Sequence, residues 1–383
     1  MNIGVIGSGR LGICFALLLE RAGYNVMVSD IRDDYVKSIT NKFINTNEPS
    51  VNDILSSTTK LIATVDNKHL INQCDLIYCF VPTPSTEQGS YDISAIWQIV
   101  EDFKSSERAK NKVFVIGSTV NPGDCKLIQE SLNDLNIEIF YNPEFVAQGS
   151  IIKDLQNADI VLIGGKDNDS KKIIEKLYYD IQILEPKIHT MSTTAAEITK
   201  LVINSFLTIK ISYANMVGDL LTNNGLTDEI TKVLNCIGND ARIGNKFLNY
   251  GFGFGGPCLT RDNKSIVNFA NRTNSNYELG SVADTSNFKH SIFLKNYFMS
   301  KNPDKSIPFY FDYITYKKGT DILTDSQQFK LCVDLLSEGH KVYINETPLV
   351  IEQVKEKLSN EFKDMVFFSG YHPLPNKFFR INI

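Results

Sequence analysis

Cysteine is sparse and unpaired along the sequence. Its seven residues stand at 14, 74, 79, 125, 236, 258 and 332, and none sits in a CxxC pair. That scatter suggests neither a disulfide framework nor a zinc knuckle, so a reduced, cytoplasmic protein without a metal is expected. No run of Lys or Arg occurs and the net charge is -5, which argues against nucleic acid as a partner. No apolar stretch reaches the ~20 residues that a bilayer requires, so no membrane span is expected. The N-terminal MNIGVIGSG lacks the basic flank and longer apolar region of a signal peptide, and no internal repeat is found. What is left is ordinary globular material, 43% hydrophobic and 22% charged. At 383 residues it is too long for one core, and two or three domains are expected.

Residues 1–6 read as a short apolar strand, followed by Gly7-Ser8-Gly9-Arg10-Leu11-Gly12 and a helical run. A second strand at 25–29 ends on Asp30. This is the strand, GxGxxG, helix, strand, acid order of a dinucleotide site. Gly7 allows the tight turn, Gly9 the approach of backbone to a pyrophosphate, and Gly12 close packing of helix on strand. The helix N-terminus offers N–H groups to the anion. Asp30 suits the adenosine ribose and repels a 2′-phosphate, which favours NAD; Arg32 nearby is the residue that could admit NADP. Further strands are expected at 76–82, 113–119, 138–142 and 159–165, with helices between most of them. That alternation gives a parallel, doubly wound α/β sheet with ligands at its carboxyl edge. The edge carries Thr83 in VPTP, Thr119 in GSTVNPG and Glu144 in NPEF, read together as an active-site rim.

From Thr193 the period changes. Ile198, Leu201, Val202, Ser205, Ile209 and Ser212 follow three-four spacing, which predicts one long helix capped by Thr193 or Thr194 and stopped near Gly225. Lys200 and Asn204 project from one face of it; alone, such a pair reads as a solvated stripe. Helix is also expected at 226–240. Then comes GFGFGGPCLTRD (251–262), whose glycines bare the backbone around one thiol, Cys258. Helical spacing resumes after it, so the thiol stands near a helix N-terminus with Arg261 close by, and both favour thiolate. After a break near 301–303 a second α/β unit is expected, with strands at 307–314, 340–346 and, last, 365–370.

In order along the chain, GSGRLG, VPTP, STVNPG, NPEF…GSIIKDLQNADIVLIGG, EITKLVINSFLTIKISYAN, RIGNKFL and FGFGGPCLTRD resemble the nucleotide-sugar 6-dehydrogenases, the UDP-glucose/GDP-mannose dehydrogenase family. KKGTD and GHKVYINE are weaker echoes. The resemblance implies two Rossmann-like doubly wound domains joined by a long central helix. It divides the chain into an NAD-binding domain (1–192), a helical dimerisation region with the cysteine loop (193–302) and a C-terminal sugar-nucleotide domain (303–383) that looks shortened. The implied reaction oxidises a sugar C6 alcohol to a carboxylate and reduces two NAD. Cys258 would carry a thiohemiacetal and then a thioester. Lys200 and Asn204 would stabilise charge on the C6 oxygen, Asp262 and Thr119 would hold a water, and Glu144 would assist hydrolysis. The resemblance puts Arg10, Leu11, Pro82, Thr83, Ser118, Thr119 and Arg261 at the cofactor beside the glycines, Asp30 and Arg32. It puts Glu144, Phe145, Val146, Lys200, Asn204, Arg242, Phe247, Asn249, Tyr250, Phe252, Gly253, Gly255, Gly256 and Lys317 at the sugar nucleotide, with the glycines letting backbone crowd against it. A cytoplasmic homodimer is implied.

Several positions depart from the family pattern. Gln148 replaces a glutamate, Asp159 an arginine and Arg10 an aromatic residue, while Thr324 stands where the family's D-x-x-R-x-S arginine falls. They bear on the nucleotide end of the site. UDP-glucose is the first substrate implied, with UDP-N-acetylhexosamine and GDP-mannose as alternatives. A weakened NAD- and sugar-binding paralogue and a small-hydroxy-acid oxidoreductase are the other classes; the latter leaves GFGGPC without a purpose.

Overall fold

A computed structural model describes all 383 residues, which fall into two compact units, Met1–Lys200 and Leu201–Ile383. In the first, eight strands form one sheet: β1 (Asn2–Ile6), β2 (Asn25–Ser29), β3 (Leu61–Thr64), β4 (Leu76–Cys79), β5 (Val113–Ile116), β6 (Glu138–Tyr141), β7 (Val161–Gly164) and β8 (Ile188–Met191). Their order is β3-β2-β1-β4-β5-β6-β7-β8. The first six follow the dinucleotide-binding order, with the winding reversing between β1 and β4. Strands such as LIYC and VFVI are apolar throughout because helices cover both faces of the sheet.

One expectation is corrected here: the sheet is parallel except where β6 meets β7, which is antiparallel at Tyr141 and Gly164. The connection between them carries only the six-residue helix Ile151–Gln156, too short to lay a full crossover along the sheet. β3 and β8 are additional strands; LIAT and IHTM are short and largely not buried, so they give little periodic signal. The core centres on Phe15, whose ring lies 4.7 Å from Tyr78, 5.5 Å from Phe80 and 6.2 Å from Tyr178.

The unit boundary falls inside the helix Thr193–Asn223. Its cap is Ser192, one residue before the expected threonines, with Oγ accepting from the Ala195 N–H at 3.3 Å. Helices Ile230–Gly238, Gly256–Arg272 and Leu279–Lys301 follow in the second unit. The chain then enters a four-stranded parallel sheet of β9 (Phe309–Phe311), β10 (Val342–Ile344), β11 (Val366–Phe368) and β12 (Phe379–Arg380), in the order β11-β10-β9-β12. The expected last strand is therefore not the last. FFRINI adds β12, pairing Phe379 with Phe309 and Arg380 with Tyr310, and two residues are too few for any alternation to show. Phe309, Phe311, Leu335, Val342, Ile344 and Val354 are buried together beneath this sheet. No helix is long and apolar enough to cross a membrane.

Candidate active site

At the end of β1, Gly7 takes φ +86°, and a Cβ there would lie 2.8 Å from the backbone of Phe80. A Cβ on Gly12 would lie 2.1 Å from the Gly7 carbonyl oxygen, so only glycine lets this helix sit so close to the turn. Beside Gly9 nothing lies within 4 Å. The helix Arg10–Arg21 begins there with no side-chain cap, which leaves its first N–H groups for an anion. Asp30 follows β2, and both its oxygens accept from Arg32, Nε at 2.9 Å and Nη2 at 3.0 Å. Arg32 also lies 4.1 Å over the Tyr35 ring, so it is held to the acid rather than standing apart as a phosphate site. The open space at Gly9, the uncapped helix start and the acid after β2 fit NAD. Arg10 and Gln148, both departures from the family pattern, meet each other: Arg10 Nη1 donates to Gln148 Oε1 at 2.7 Å. Leu11 packs on the core.

The carboxyl ends of the next strands are tied together. Thr83 Oγ1 donates to the Thr119 carbonyl at 2.8 Å, and Ser118 Oγ to the Val81 carbonyl at 2.7 Å; Pro82 between them is exposed. Beyond β6 stands Glu144, only 9% exposed. Burial pushes its carboxyl up to about 7, against the downward pull of the Tyr178 hydroxyl and the Lys200 ammonium. Lys200 is itself buried, not part of a solvated stripe. Its Nζ donates to the Glu144 carbonyl at 2.9 Å and lies 4.4 Å over the Phe145 ring. Val146 packs on the core. Glu197 accepts from the N–H groups of Gly123 and Cys125 at 2.6 and 2.8 Å, capping the helix Asp124–Leu132 and fixing the helical turn that carries Lys200.

In the second unit Cys258 is exposed in the first turn of the helix Gly256–Arg272, where the positive end of the helix dipole favours an anion. Asp262 lies one turn on, 2% exposed, and accepts from Asn204 Nδ2 at 2.5 Å. The adjacent pair of residues is locked in the same way, Ser205 Oγ donating to Asn263 Oδ1 at 2.6 Å. Arg261 is half-buried three residues after the thiol. The bare loop before Cys258 has a cause within the chain itself. A Cβ on Gly253 would lie 2.0 Å from Asn287 Oδ1, and one on Gly255 would lie 2.0 Å from the Asp325 carbonyl oxygen. Packing within the chain therefore demands these glycines before any ligand does. The Thr324 carbonyl accepts from the Gly256 N–H at 3.1 Å, so backbone meets the loop where the family has an arginine.

His290 holds the other end of this loop. Its Nε2 bonds the Gly251 carbonyl and its Nδ1 the Asp219 carboxylate, both at 2.8 Å. Tyr250 donates to the other Asp219 oxygen at 2.9 Å, so its hydroxyl serves its own unit. Phe252 and Gly253 line a cavity of 290 Å³ with Asp312, Tyr313, Gln328 and Asn382. It lies past the carboxyl ends of β9 and β12, where the winding of this sheet reverses and ligands bind in such folds. Asn249 instead lines a second cavity of 300 Å³ with Thr227 and Asn235. Phe247 is exposed with a left-handed φ of +62°. Arg242 is exposed and bonded to Asp240, and Lys317 and Asp159 are exposed.

Sequence reasoning missed Tyr178, Asn142, Glu197, Asp219 and His290, all of which hold site residues. Asn142 was within reach, since it opens the NPEF stretch. The others sit on helices whose facing partners lie at least 31 residues away, as Asp219 does from Tyr250.

Two family models match the chain: residues 1–182 as the NAD binding domain and 194–289 as the central domain of the UDP-glucose/GDP-mannose dehydrogenase family. UDP-glucose 6-dehydrogenase of Rickettsia prowazekii is 29% identical over 378 residues, 97% of this chain and 86% of that one. Among solved structures, a UDP-glucose dehydrogenase from Pyrobaculum islandicum superposes with a TM-score of 0.85 at 22% identity, over 96% of this chain and 85% of that one. A UDP-D-ManNAc dehydrogenase from Pyrococcus horikoshii gives 0.79 at 21%, over 99% and 98%; both are likenesses of fold. The chain belongs to the UDP-glucose/GDP-mannose dehydrogenase family of NAD-dependent nucleotide-sugar dehydrogenases, and its cofactor is NAD.

Proposed function

We propose that the chain oxidises UDP-glucose to UDP-glucuronate through a covalent intermediate on Cys258. The observation that carries this reading is the start of the helix Gly256–Arg272: an exposed thiol in the first turn, with a buried carboxylate one turn on held by Asn204. An enzyme that stops at the aldehyde has no use for that nucleophile. Two NAD, bound in turn, would each accept one hydride. Lys200 and Asn204, four residues apart on one helix, carry the N–H donors that stabilise charge developing on the C6 oxygen. The Cys258 thiolate adds to the aldehyde carbon, and oxidation of the resulting thiohemiacetal gives a thioester. Water attacks that carbon, the C–S bond breaks, the thiolate is restored and the carboxylate departs. Asp262 and Thr119 position this water and Glu144 takes its proton. One alcohol and one water thus give one carboxylate, with four electrons removed as two hydrides.

The cavity past β9 and β12 is the proposed seat of the nucleotide, which makes residues 303–383 the sugar-nucleotide domain. Residues 1–192 serve NAD, and 193–302 form the helical region of a cytoplasmic homodimer. UDP-glucose as the sugar is supported by the name of the Rickettsia relative. The test is stoichiometry with purified protein, NAD and UDP-glucose. About two NADH per sugar and a uronate product support the reading; a single NADH with free aldehyde overturns the thioester step. UDP-N-acetylhexosamine and GDP-mannose run beside it decide the sugar.

A further inference from the structure

Behind Glu144 lies a sealed chain of polar groups. Asn142 Nδ2 donates to the Leu162 carbonyl at 2.9 Å, which fixes the amide and leaves Oδ1 as an acceptor. Tyr78 donates to that Oδ1 at 3.1 Å. The Tyr178 hydroxyl lies 2.7 Å from the same Oδ1 and 2.5 Å from Glu144 Oε1. Tyr78, Tyr178 and Asn142 are each 1% exposed or less, so the protein must satisfy the chain itself.

A hydroxyl has one proton and two acceptors face this one. If Glu144 is ionised, Tyr178 gives it that proton, and the Tyr178 and Asn142 oxygens then confront each other with none between them. If Glu144 is protonated, it donates to Tyr178, Tyr178 donates to Asn142, and every contact is made. We propose that Tyr178 is a positioning residue whose proton turns from Asn142 to Glu144 as Glu144 ionises, so that the buried carboxyl can release and regain a proton. This rests on the reading of Glu144 as the group that takes the proton of water. Burial and the neighbouring Glu144 hold the Tyr178 phenol itself far above its ordinary range, so it stays neutral throughout. Lys200, whose Nζ is bound to the Glu144 carbonyl, is the one cation facing the group; Tyr78 and Tyr178 are the other titratable groups against it.

Infrared titration of the NAD-loaded full chain tests this, using the protonated-carboxyl band that Glu144→Gln removes. Tyr178→Phe keeps the ring and deletes the switch. The band's midpoint is expected to rise by about one unit, the worth of one hydrogen bond to a charged acceptor. Tyr78→Phe is the second variant. It leaves Asn142 to Tyr178 alone, draws the Tyr178 proton away from Glu144 and raises the midpoint by less. Unchanged midpoints in both variants, or no band sensitive to Glu144→Gln, would overturn the switch. The pH profile of uronate formation separates the two readings. If it moves with the band, both stand; if the band moves and the profile does not, the switch stands and the role of Glu144 in hydrolysis falls.

Discussion

A carboxyl is held in the first unit largely out of bulk water, and stability should report this. An unfolded Glu144 ionises near its ordinary value of 4.5, while in the folded protein burial moves that to about 7. Between the two the native state binds the extra proton, so the group's favourable contribution is complete below about 4.5 and is lost as pH rises through about 7. The shift corresponds to about 3 kcal/mol. Urea unfolding at about pH 5 and about pH 8 should show a fall in stability that is smaller by roughly that amount in Glu144→Gln. Equal slopes in the two proteins would mean that Glu144 ionises normally. At the reacting carbon, Cys258→Ala should abolish uronate formation by product analysis while leaving NAD binding unchanged by calorimetry; retained turnover would remove the thiol from the mechanism. Cys258 was legible because a lone thiol after four glycines and a proline serves little purpose besides chemistry. Asp262 came only from the resemblance of FGFGGPCLTRD to the family's stretch, not from the residue taken alone. The poise of Glu144 was not legible, because the burial that raises it and the Tyr178 and Lys200 contacts that oppose it come together only in the fold.

The loop before Cys258 shows what an element adds to its residues. The alternation of apolar runs made both sheets legible, since strands covered on both faces are apolar throughout. It failed where strands were short or edge-exposed, as with IHTM and the two-residue β12. It also could not tell that the glycines of 251–256 serve two different ends. Gly255 precedes the helix that carries Cys258, and an added methyl would meet backbone, the Asp325 carbonyl, at 2.0 Å. Gly251 has nothing within 4 Å, so a methyl fits there and its bonds to Asn215 and His290 survive. Gly255→Ala should therefore cost about 1–3 kcal/mol, typical of overpacking, and displace the helix start enough to cut turnover. Gly251→Ala should stay within about 0.5 kcal/mol of the parent. Urea midpoints and turnover check the pair; equal tolerance would show that the loop slides freely. His290 gives a third expectation. Both its ring nitrogens face acceptors. His290→Leu would strand the Asp219 carboxylate and the Gly251 carbonyl at a cost of about 3 kcal/mol.

For the whole molecule the question is how many copies work together. The long helix Thr193–Asn223 was legible from its buried stripe, and Leu201, Ser205 and Ser212 are indeed buried. It carries a second apolar face that this stripe does not include. Phe206, Tyr213, Met216 and Leu220, spaced seven, three and four apart, are exposed by 59%, 47%, 55% and 63%. Leu279, Val282 and Phe288 are exposed on Leu279–Lys301 in the same unit. Single exposed apolar residues are ordinary on a protein surface, whereas a periodic stripe along one helix marks a surface that buries itself elsewhere. A second copy of the chain would meet that need by self-complementarity, since a two-fold axis would bring one stripe against its twin. The protein should then sediment as a dimer at micromolar concentration. Met216→Glu with Leu220→Glu places two charges per copy in the contact and should yield a monomer with an unchanged far-ultraviolet spectrum. Both positions lie far along the helix from Lys200 and Asn204, so loss of turnover in that monomer would mean that the partner completes the site. A parent protein that sediments as a monomer would defeat the dimer reading outright.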